Sequence, residues 1–260
     1  MLWVVRALIL SDIHANKPAL DAVIDHAYMD GARYGAVFSL GDALGYGPHP
    51  REVLEVLRGL NAQCLLGNHD LGLLQLVDGQ RTATVGTGTQ VLVWQIGRLS
   101  ERDLRFVRTW KDVIEEPHLG ARLRHGSPLS LNEYTDLNAA RRSFREWGGT
   151  LALVGHTHVP AAFATLQGTD AEWMRHQPLA IPEIKSSIRY PVPPKARVIL
   201  NPGSIGQPRD GDPRAAYGVY DTERRCFEVF RVPYDVDQTQ RDLRASDLPR
   251  ALADRLGRGQ

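Results

Sequence analysis

Short apolar segments rich in β-branched residues recur along the chain, and each ends in a polar or glycine-containing turn. The clearest are VVRALILSD, AVFSLGD, QCLLGNHD, ARLRHGSP, TLALVGHTH and RVILNPGS. Apolar runs of this length, bounded by turn residues, are typical of β-strands. The pattern therefore predicts a strand in each of these segments.

Between the early strands the apolar residues recur at helical spacing. Residues 18–29 form one such stretch, with Asn16 as its cap, and residues 50–60 form a second that has Pro50 in its first turn. Residues 85–112 predict a helical pair, whose second helix starts at Ser100 and Asp103, and residues 132–147 predict a further helix. Strands that alternate with helices indicate α/β units.

The pattern changes after residue 150, where strands follow one another and include PAAFATL, AAYGVYD and CFEVFRV. Such a succession predicts a mixed or antiparallel second sheet. Five prolines between residues 177 and 195 predict a loop or insertion, and the charged end from Gln238 predicts a surface helix. We expect a single domain over residues 1–260, with the insertion near 177–195 and a helical tail from about 238.

Composition and charge narrow the functional classes. The hydrophobic fraction is 43%, and 31 Lys and Arg balance 30 Asp and Glu, so no overall field favours a membrane surface or a long nucleic acid. The apolar start carries Arg6 and runs into Asp12 without a cleavage site, so it reads as a strand rather than a signal peptide. Cys64 and Cys226 lack CxxC spacing, which fits a reducing cytoplasm. We expect a cytoplasmic protein without a membrane partner.

Residues that commonly bind metals follow one predicted strand after another. They are Asp12 and His14, then Asp42, then Asn68 and His69, then His125, and finally His156 and His158. Side chains beyond the carboxyl ends of strands in an open α/β sheet meet in one crevice. The regular placement therefore predicts a metal site at that edge.

The pair His156 and His158 is the clearest local signal. Residues two apart in an extended chain point to the same face, so both rings would reach one small volume. For this pair alone, ordinary hydrogen bonding explains the histidines equally well. Asp12 and His14 repeat the spacing, and the repetition favours metal binding.

The chemistry of the donors indicates which ions would bind. Imidazole and carboxylate without thiolate suit first-row divalent ions such as Mn²⁺, Fe, Ni or Zn better than Ca²⁺ or a structural zinc. Even without His69, the seven remaining donors exceed the need of one ion, so two ions that share a carboxylate are the economical arrangement. Two ions about 3.5–4 Å apart form a clamp for in-line displacement at phosphorus. We expect two divalent ions, with Mn²⁺ as the first choice.

The ordered motifs SDIH, GD, GNHD, HG and GHTH allow a more specific statement. Together they resemble the calcineurin-like metallophosphoesterase superfamily, especially compact bacterial phosphodiesterases whose C-terminal part contains NPGS, here residues 201–204. The resemblance covers residues 7 to about 221. It implies an α/β fold, a four-layer α/β/β/α sandwich of two mixed β-sheets flanked by helices.

The resemblance also implies a role for each residue. Asp12, His14 and His158 would bind the first metal, Asn68, His125 and His156 the second, and Asp42 would bridge them. His69 would protonate the leaving oxygen or stabilise its charge, while Asp70 would either orient this imidazole or cap a helix. The implied reaction is hydrolysis of phosphate monoesters or diesters of small molecules or nucleotides, by in-line attack of a metal-bound hydroxide.

The substrate region departs from some relatives of this superfamily. Protein Ser/Thr phosphatases and symmetrical diadenosine tetraphosphate hydrolases usually carry an arginine shortly after the bridging aspartate, whereas this chain continues ALGYGPHP. Phosphoproteins and diadenosine polyphosphates are therefore disfavoured as substrates. Tyr46, His49, Arg209 and Arg214 are candidate substrate contacts, and for each a structural or solvated role is as good an explanation.

Two other functions stay open at this point. A non-catalytic interaction module would keep the same fold and a metal, because fold alone does not determine function. A nuclease would cleave DNA or RNA, but the balanced charge disfavours a polymeric substrate. His26, His118 and His176 lie outside every motif and receive no role. The oligomeric state is left open by the sequence.

Overall fold

The structure is a computed structural model that describes residues 6–166, 172–176 and 186–260. The elements are β1 (Arg6–Leu10), α1 (Lys17–Ala27), β2 (Ala36–Ser39), α2 (Pro50–Gly59), β3 (Gln63–Cys64), α3 (Asn68–Val77), α4 (Thr87–Ile96), α5 (Glu101–Arg108), β4 (Val113–Glu116), β5 (Ala121–Arg124), α6 (Leu137–Glu146), β6 (Leu151–Leu153), β7 (Ala161–Leu166), β8 (Glu172–His176), β9 (Ser187–Pro191), β10 (Ala196–Asn201), β11 (Ala215–Asp221), β12 (Cys226–Val232), α7 (Val236–Ala245) and α8 (Ala251–Leu256). One 3₁₀ turn at Met29–Gly31 follows α1.

Two six-stranded sheets organise these elements. The first has the order β3-β2-β1-β11-β12-β9, and the second has the order β4-β5-β6-β10-β7-β8. Both are mixed, because β1 runs parallel to β2 and antiparallel to β11, and β10 runs parallel to β6 and antiparallel to β7. The fold class expected from the sequence is confirmed.

Alternation along the strands explains the layers. In β1, Ala7 and Ile9 pack in the core cluster between the two sheets, whereas Leu8 and Leu10 pack in the cluster that the flanking helices share. Successive side chains of a strand point to opposite faces, so a strand buried on both faces needs an unbroken apolar run. On the far side of the second sheet, Phe163 packs in a cluster with Ala140 of α6.

Several helices begin at the capping residues that the sequence predicted. Asn16 caps α1, since its Oδ1 accepts a hydrogen bond from the Ala19 amide at 3.2 Å. Ser100 and Asp103 form a reciprocal capping box at the start of α5. The predicted helix over 132–147 begins later, at Leu137, because Asp136 caps it.

Two strand predictions are wrong in detail. The segment QCLLGNHD contains only a two-residue strand, and α3 begins at Asn68. The segment TLALVGHTH leaves the strand after Leu153, and His156 and His158 adopt left-handed φ values of 67° and 59°. The extended geometry expected for the histidine pair is therefore wrong, although both side chains still reach the same cleft.

In the C-terminal half, the pairing of strands differs from the sequence prediction. β6, β7 and β10 lie in the mixed second sheet, as expected, whereas β11 and β12 join the first sheet beside β1. Of the proline-rich segment 177–195, residues 177–185 lie outside the described residues, and the expected loop is wrong at Ser187–Pro191, which forms β9 and pairs with β12. The expected terminal helix is two helices, α7 and α8. No helix among the described residues has both the length and the apolar character needed to cross a membrane.

Candidate metal centre

The expected metal ligands gather at the carboxyl ends of β1, β2, β5 and β6. Two groups of ligand atoms form there, and within each group the atoms lie within 4.8 Å of one another. The first group is Asp12, His14, Asp42 and His158, and the second is Asp42, His125 and His156. Every member is buried, and Asp42 belongs to both groups. The residues form a buried His/Asp metal-binding cluster.

Short contacts define the first group. His14 Nε2 lies 3.1 Å from His158 Nε2 and 3.7 Å from Asp42 Oδ2. Asp12 Oδ1 lies 3.3 Å from His158 Nε2, yet it is buried and accepts no hydrogen bond from any described residue. A buried carboxylate oxygen without a donor is costly unless a cation satisfies it.

The second group is built around His125. Its Nε2 lies 3.4 Å from Asp42 Oδ2, 3.1 Å from His156 Nδ1 and 3.3 Å from Asn68 Oδ1. Asn68 is the first residue of α3, so the start of that helix brings its amide oxygen to the group. One carboxylate, two imidazole nitrogens and one amide oxygen thus converge here.

Backbone carbonyls fix which nitrogen of each ring faces the centre. The Nδ1 atoms of His14, His125 and His158 donate to the carbonyl oxygens of Leu44, Leu40 and Gln207 at 2.9, 2.9 and 2.5 Å. In the neutral form of each ring the single N–H is therefore at Nδ1, and Nε2 carries a lone pair directed at the centre. Metal-binding histidines are typically oriented in this way by an acceptor on the other nitrogen.

Burial and mutual charge shift the titration of the ligands. Burial lowers the pKa of His14 well below its ordinary value, and it lowers the pKa of His156 to about 4. Burial alone would raise the pKa of Asp42, but the positive charge of the nearby His125 imidazole and its hydrogen bond hold it well below the usual range. Burial opposes protonation of His125, yet the carboxylate of Asp42 raises the pKa of this imidazole to about 9.

The backbone at the centre is unusual. Five of the seven expected ligands have a positive φ: Asp12 at 50°, His14 at 48°, Asp42 at 51°, His156 at 67° and His158 at 59°. This region is uncommon for residues other than glycine, and it costs free energy unless the surroundings enforce it. The turns therefore depend on the packing of the whole strand edge.

Glycines beside the ligands permit that close packing. A Cβ on Gly67 would lie 2.0 Å from Asp42 Oδ1, and one on Gly155 would lie 2.1 Å from Ser11 Oγ. Neither position has room for a side chain, which explains the glycines of the GNHD and GHTH motifs. Ser11 Oγ in turn donates to Asp12 Oδ2 at 2.6 Å.

The loop after β10 supports the centre through the NPGS motif. Asn201 Nδ2 donates to the Gly155 carbonyl at 2.7 Å, and Ser204 Oγ donates to the Asp12 carbonyl at 2.8 Å. The same Ser204 hydroxyl accepts a hydrogen bond from the Gln207 amide at 2.8 Å. This motif holds the turns that carry the ligands.

His69 lies beside the first group. Its ring centroid is 5.1 Å from that of His14 and 4.5 Å from that of Tyr46, and its amide donates to Asp42 Oδ1 at 2.8 Å. Its Nδ1 is buried and has no partner among the described residues. Burial lowers the pKa of His69, so the ring is neutral near pH 7.

Asp70 engages the backbone and makes no hydrogen bond to the His69 ring among the described residues. Its Oδ2 accepts from the Gly67 amide at 2.9 Å, and its Oδ1 accepts from the Leu44 amide at 3.0 Å. Of its two expected roles, this geometry fits the helix cap. Burial and the charge of Asp42 raise the pKa of this carboxyl to about 7.

The four candidate substrate contacts separate into two pairs. The Tyr46 ring lies 4.6 Å from the His14 ring, and the Arg209 guanidinium lies 5.9 Å from the Tyr46 centroid. His49 Nε2 instead contacts Asp242 Oδ2 at 3.1 Å, and Arg214 Nη2 contacts Asp212 Oδ2 at 2.6 Å. Tyr46 and Arg209 thus lie near the first ligand group. The side chains of His49 and Arg214 are instead paired with aspartates.

Sequence reasoning missed several residues near the centre. Gln95 of α4 is fully buried, accepts from the Gly45 amide and donates to the Gly47 carbonyl, both at 2.8 Å. Tyr134 is 55% exposed and stacks on His156, with the ring centroids 4.1 Å apart. Neither residue lies in a motif, so only the tertiary structure identifies them.

Comparisons with known proteins agree with this arrangement. A sequence model described as a calcineurin-like phosphoesterase superfamily domain matches residues 5–225. An uncharacterized protein of Methanocaldococcus jannaschii is 30% identical over 259 residues, which are 97% of this chain and 97% of that protein.

Solved structures show the same similarity. The crystal structure of a metallophosphoesterase from Sphaerobacter thermophilus has a TM-score of 0.80 and 32% identity, covering 99% of this chain and 100% of that chain. A hypothetical protein from Pyrococcus horikoshii has a TM-score of 0.72 and 19% identity over 98% of each chain, and this likeness concerns the fold alone.

Proposed function

The chain belongs to the calcineurin-like phosphoesterase superfamily, and we propose that it hydrolyses phosphate monoesters or diesters of small molecules or nucleotides with two divalent metal ions. The observation that carries this proposal is the sharing of Asp42 by two groups of buried ligand atoms. A carboxylate common to two such groups suits a bridging role between two ions.

The donor set fits two ions of intermediate hardness. Asp12, His14 and His158 would hold one ion, Asn68, His125 and His156 would hold the other, and Asp42 would bridge them. Oxygen and imidazole donors without thiolate favour Mn²⁺, with Fe, Ni and Zn as alternatives. When bound, such a pair lowers the pKa of a coordinated water and neutralises charge on phosphoryl oxygens.

His69 would assist departure of the leaving group. Because burial lowers the pKa of this imidazole, it would act near neutral pH as an uncharged hydrogen-bond donor to the leaving oxygen. Its position is supported by the hydrogen bond from its own amide to Asp42. Asp70 would act as a positioning residue, because it ties the start of α3 to the loop at Leu44.

The substrate would be small. The balanced charge of the chain gives no field suited to a long polyanion, so a nuclease is the weaker alternative. Tyr46 and Arg209 would contact the substrate beside the first ligand group. Substrate contacts by His49 and Arg214 stay predictions, because both side chains are paired with aspartates.

The cysteines bear on the compartment. Cys64 and Cys226 are free thiols, which fits the reducing cytoplasm.

Hydrolysis of p-nitrophenyl phosphate and of bis(p-nitrophenyl) phosphate with added Mn²⁺ tests the proposal. We expect turnover by the wild type, and a loss of roughly 100-fold or more in kcat for His69→Ala with metal content unchanged. His118→Ala is the matched control, because His118 is exposed and precedes β5, whereas His125 follows the other end of that strand. Its activity should equal that of the wild type.

The opposite result would favour the non-catalytic interaction module. If the Mn²⁺-loaded wild type, His69→Ala and His118→Ala were equally inert on a wide panel of phosphate esters, the catalytic proposal would be wrong. Cleavage of DNA or RNA at low salt, without turnover of small esters, would instead favour the nuclease.

A further inference from the structure

The two C-terminal helices cover one side of the metal centre. They lie beyond residues 5–225, which match the superfamily domain. Thr239 of α7 donates to Asn16 Oδ1 at 3.0 Å, which ties α7 to the start of α1. Leu252 and Leu256 of α8 are buried in a cluster against which Tyr46 packs. The helices are thus fixed beside the loop that follows Asp42.

Two arginines approach the same aromatic ring from different parts of the chain. The guanidinium carbons of Arg209, in the loop after β10, and Arg255, in α8, each lie 5.9 Å from the Tyr46 ring centroid. That ring is 4.6 Å from His14 and 4.5 Å from His69, measured between centroids. Both arginines therefore lie around the same ring as a metal ligand and the residue that would assist the leaving group.

Neither arginine contacts a carboxylate side chain within the described part of the chain. Arg209 Nη2 donates to Gln207 Oε1 at 3.1 Å, while its Nε is buried without a partner. Arg255 Nε donates to the Gln260 carbonyl oxygen at 3.2 Å. By contrast, Asp254, the residue before Arg255, pairs with Arg244.

The like charges of this pair need an explanation. Cation–π contact with Tyr46 attracts each guanidinium, but the two cations repel each other, and bound metal ions would add to the repulsion. An anion between them would offset these charges. Guanidinium groups bind phosphate with two parallel hydrogen bonds, and Arg209 is already fixed at its amide, which donates to the His158 carbonyl at 3.2 Å.

We propose that Arg209 and Arg255 form a second anion site that binds an additional phosphate of the substrate, beyond the one that is hydrolysed. The favoured substrates are accordingly small molecules with two phosphates, a class that includes nucleoside diphosphates and bisphosphates. This inference rests on the proposed function, because the first phosphate is taken to lie on the metal ions. Arg255 is a specificity-determining residue outside the part of the chain that matches the family.

Calorimetric titration of the Mn²⁺-loaded full chain tests this site without relying on turnover. The probes are adenosine 5′-monophosphate, adenosine 5′-diphosphate and adenosine 3′,5′-bisphosphate, which differ in the number and spacing of phosphates. We expect at least one two-phosphate probe to bind roughly tenfold or more tightly than the monophosphate. Arg255→Gln and Arg209→Gln should each remove most of this ratio, and Arg255→Lys should keep part of it.

Arg244→Gln is the matched control, because Arg244 lies on α7, pairs with Asp254 and makes no contact with the Tyr46 ring. It should keep the wild-type ratio. The inference is overturned if the wild type binds no two-phosphate probe more tightly than the monophosphate. It is also overturned if Arg255→Gln keeps the wild-type preference and unfolds at the wild-type temperature. Should Arg255→Gln fail to fold, Arg209→Gln and Arg255→Lys decide by the same criterion.

Failure here is distinguishable from failure of the proposed function. Hydrolysis of simple esters without an arginine-dependent preference contradicts only the second anion site. An arginine-dependent preference in a protein that hydrolyses no ester contradicts only the catalytic proposal. If the two arginines increased the affinity for all three probes by the same factor, they would contribute to a single phosphate site. That result would overturn the inference.

Discussion

The Nε2 atoms of His14 and His158 face each other at 3.1 Å, while the Nδ1 atom of each ring donates to a backbone carbonyl. Two lone pairs therefore point at each other in a buried place, which is unfavourable unless a cation or a proton lies between them. Burial lowers the pKa of His14 well below its ordinary value, so a proton on this ring is a poor solution near pH 7. The geometry fits a centre whose stability depends on metal.

Removal of metal should lower the thermal stability of the protein. A ligand that binds only the folded state at 100 times its Kd adds about 2.7 kcal/mol to the free energy of unfolding. For a chain of this size each kcal/mol shifts Tm by roughly 2–4 °C, so chelation should lower Tm by about 5–10 °C. Differential scanning calorimetry after dialysis against EDTA, and again after Mn²⁺ is restored, measures the change. An unchanged Tm in both scans would contradict the account.

Metal affinity should rise with pH because a proton competes with the ion at His125. The carboxylate of Asp42 raises the pKa of this imidazole to about 9, so it is protonated at pH 7 in the metal-free protein. Binding must release that proton, which predicts a gain of roughly tenfold in affinity per pH unit below 9. The pKa of His156 is lowered to about 4, so His156 contributes no proton in this range.

Calorimetry of Mn²⁺ binding between pH 6.5 and 8.5, in buffers of different ionisation enthalpy, measures both the affinity and the number of protons released. We expect about one proton per chain from His125 at pH 7. An affinity that stays constant over these two pH units, with no proton released, would show that His125 is neutral before binding.

Gly67→Ala should disrupt the centre through steric overlap alone. The added Cβ would lie 2.0 Å from Asp42 Oδ1 and 2.3 Å from the Asp42 amide nitrogen, so the start of α3 has to move away from the shared carboxylate. We expect loss of bound metal and a loss of about 1–3 kcal/mol in the free energy of unfolding. Gly59→Ala at the end of α2 is the control, because nothing lies within 4 Å of its added Cβ. Metal analysis and denaturant unfolding compare the two, and equal metal content in both variants would contradict this explanation.

Gln95→Leu should destabilise the loop that carries Tyr46. The substitution leaves the Gly45 amide and the Gly47 carbonyl buried without their partner. Each unsatisfied group costs about 1–3 kcal/mol, so urea unfolding should show a clear loss of stability. Gln90→Leu on the same helix is the matched control, because Gln90 is exposed. If the two variants unfold at the same urea concentration, the loop does not depend on Gln95.

The strands and the residues that gather at their ends were accessible to sequence reasoning because both are local signals. Asp12, Asp42 and His125 each follow an apolar run within a few residues, so the pattern of strands points to them. The left-handed turns at His156 and His158 were not accessible, since they are enforced by packing against distant residues such as Asn201. An extended chain was the wrong local geometry for that pair.

The arrangement of the tail depended on long-range pairing. β11 pairs with β1, where Arg6 lies opposite Asp221, and nothing in the sequence near β11 distinguishes this partner from the strands of the second sheet. For the same reason Gln95, Tyr134 and Arg255 were missed. None of the three lies in a recognisable motif. Their contacts with Gly45, His156 and Tyr46 join segments that are distant in the sequence.

The most direct test of the central claim is anomalous diffraction from a crystal of the protein soaked in Mn²⁺. Two peaks about 3.5–4 Å apart are expected, one on each side of Asp42. One peak should be bound by Asp12, His14 and His158, and the other by Asn68, His125 and His156. A single peak, or two peaks that do not share Asp42, would contradict the account.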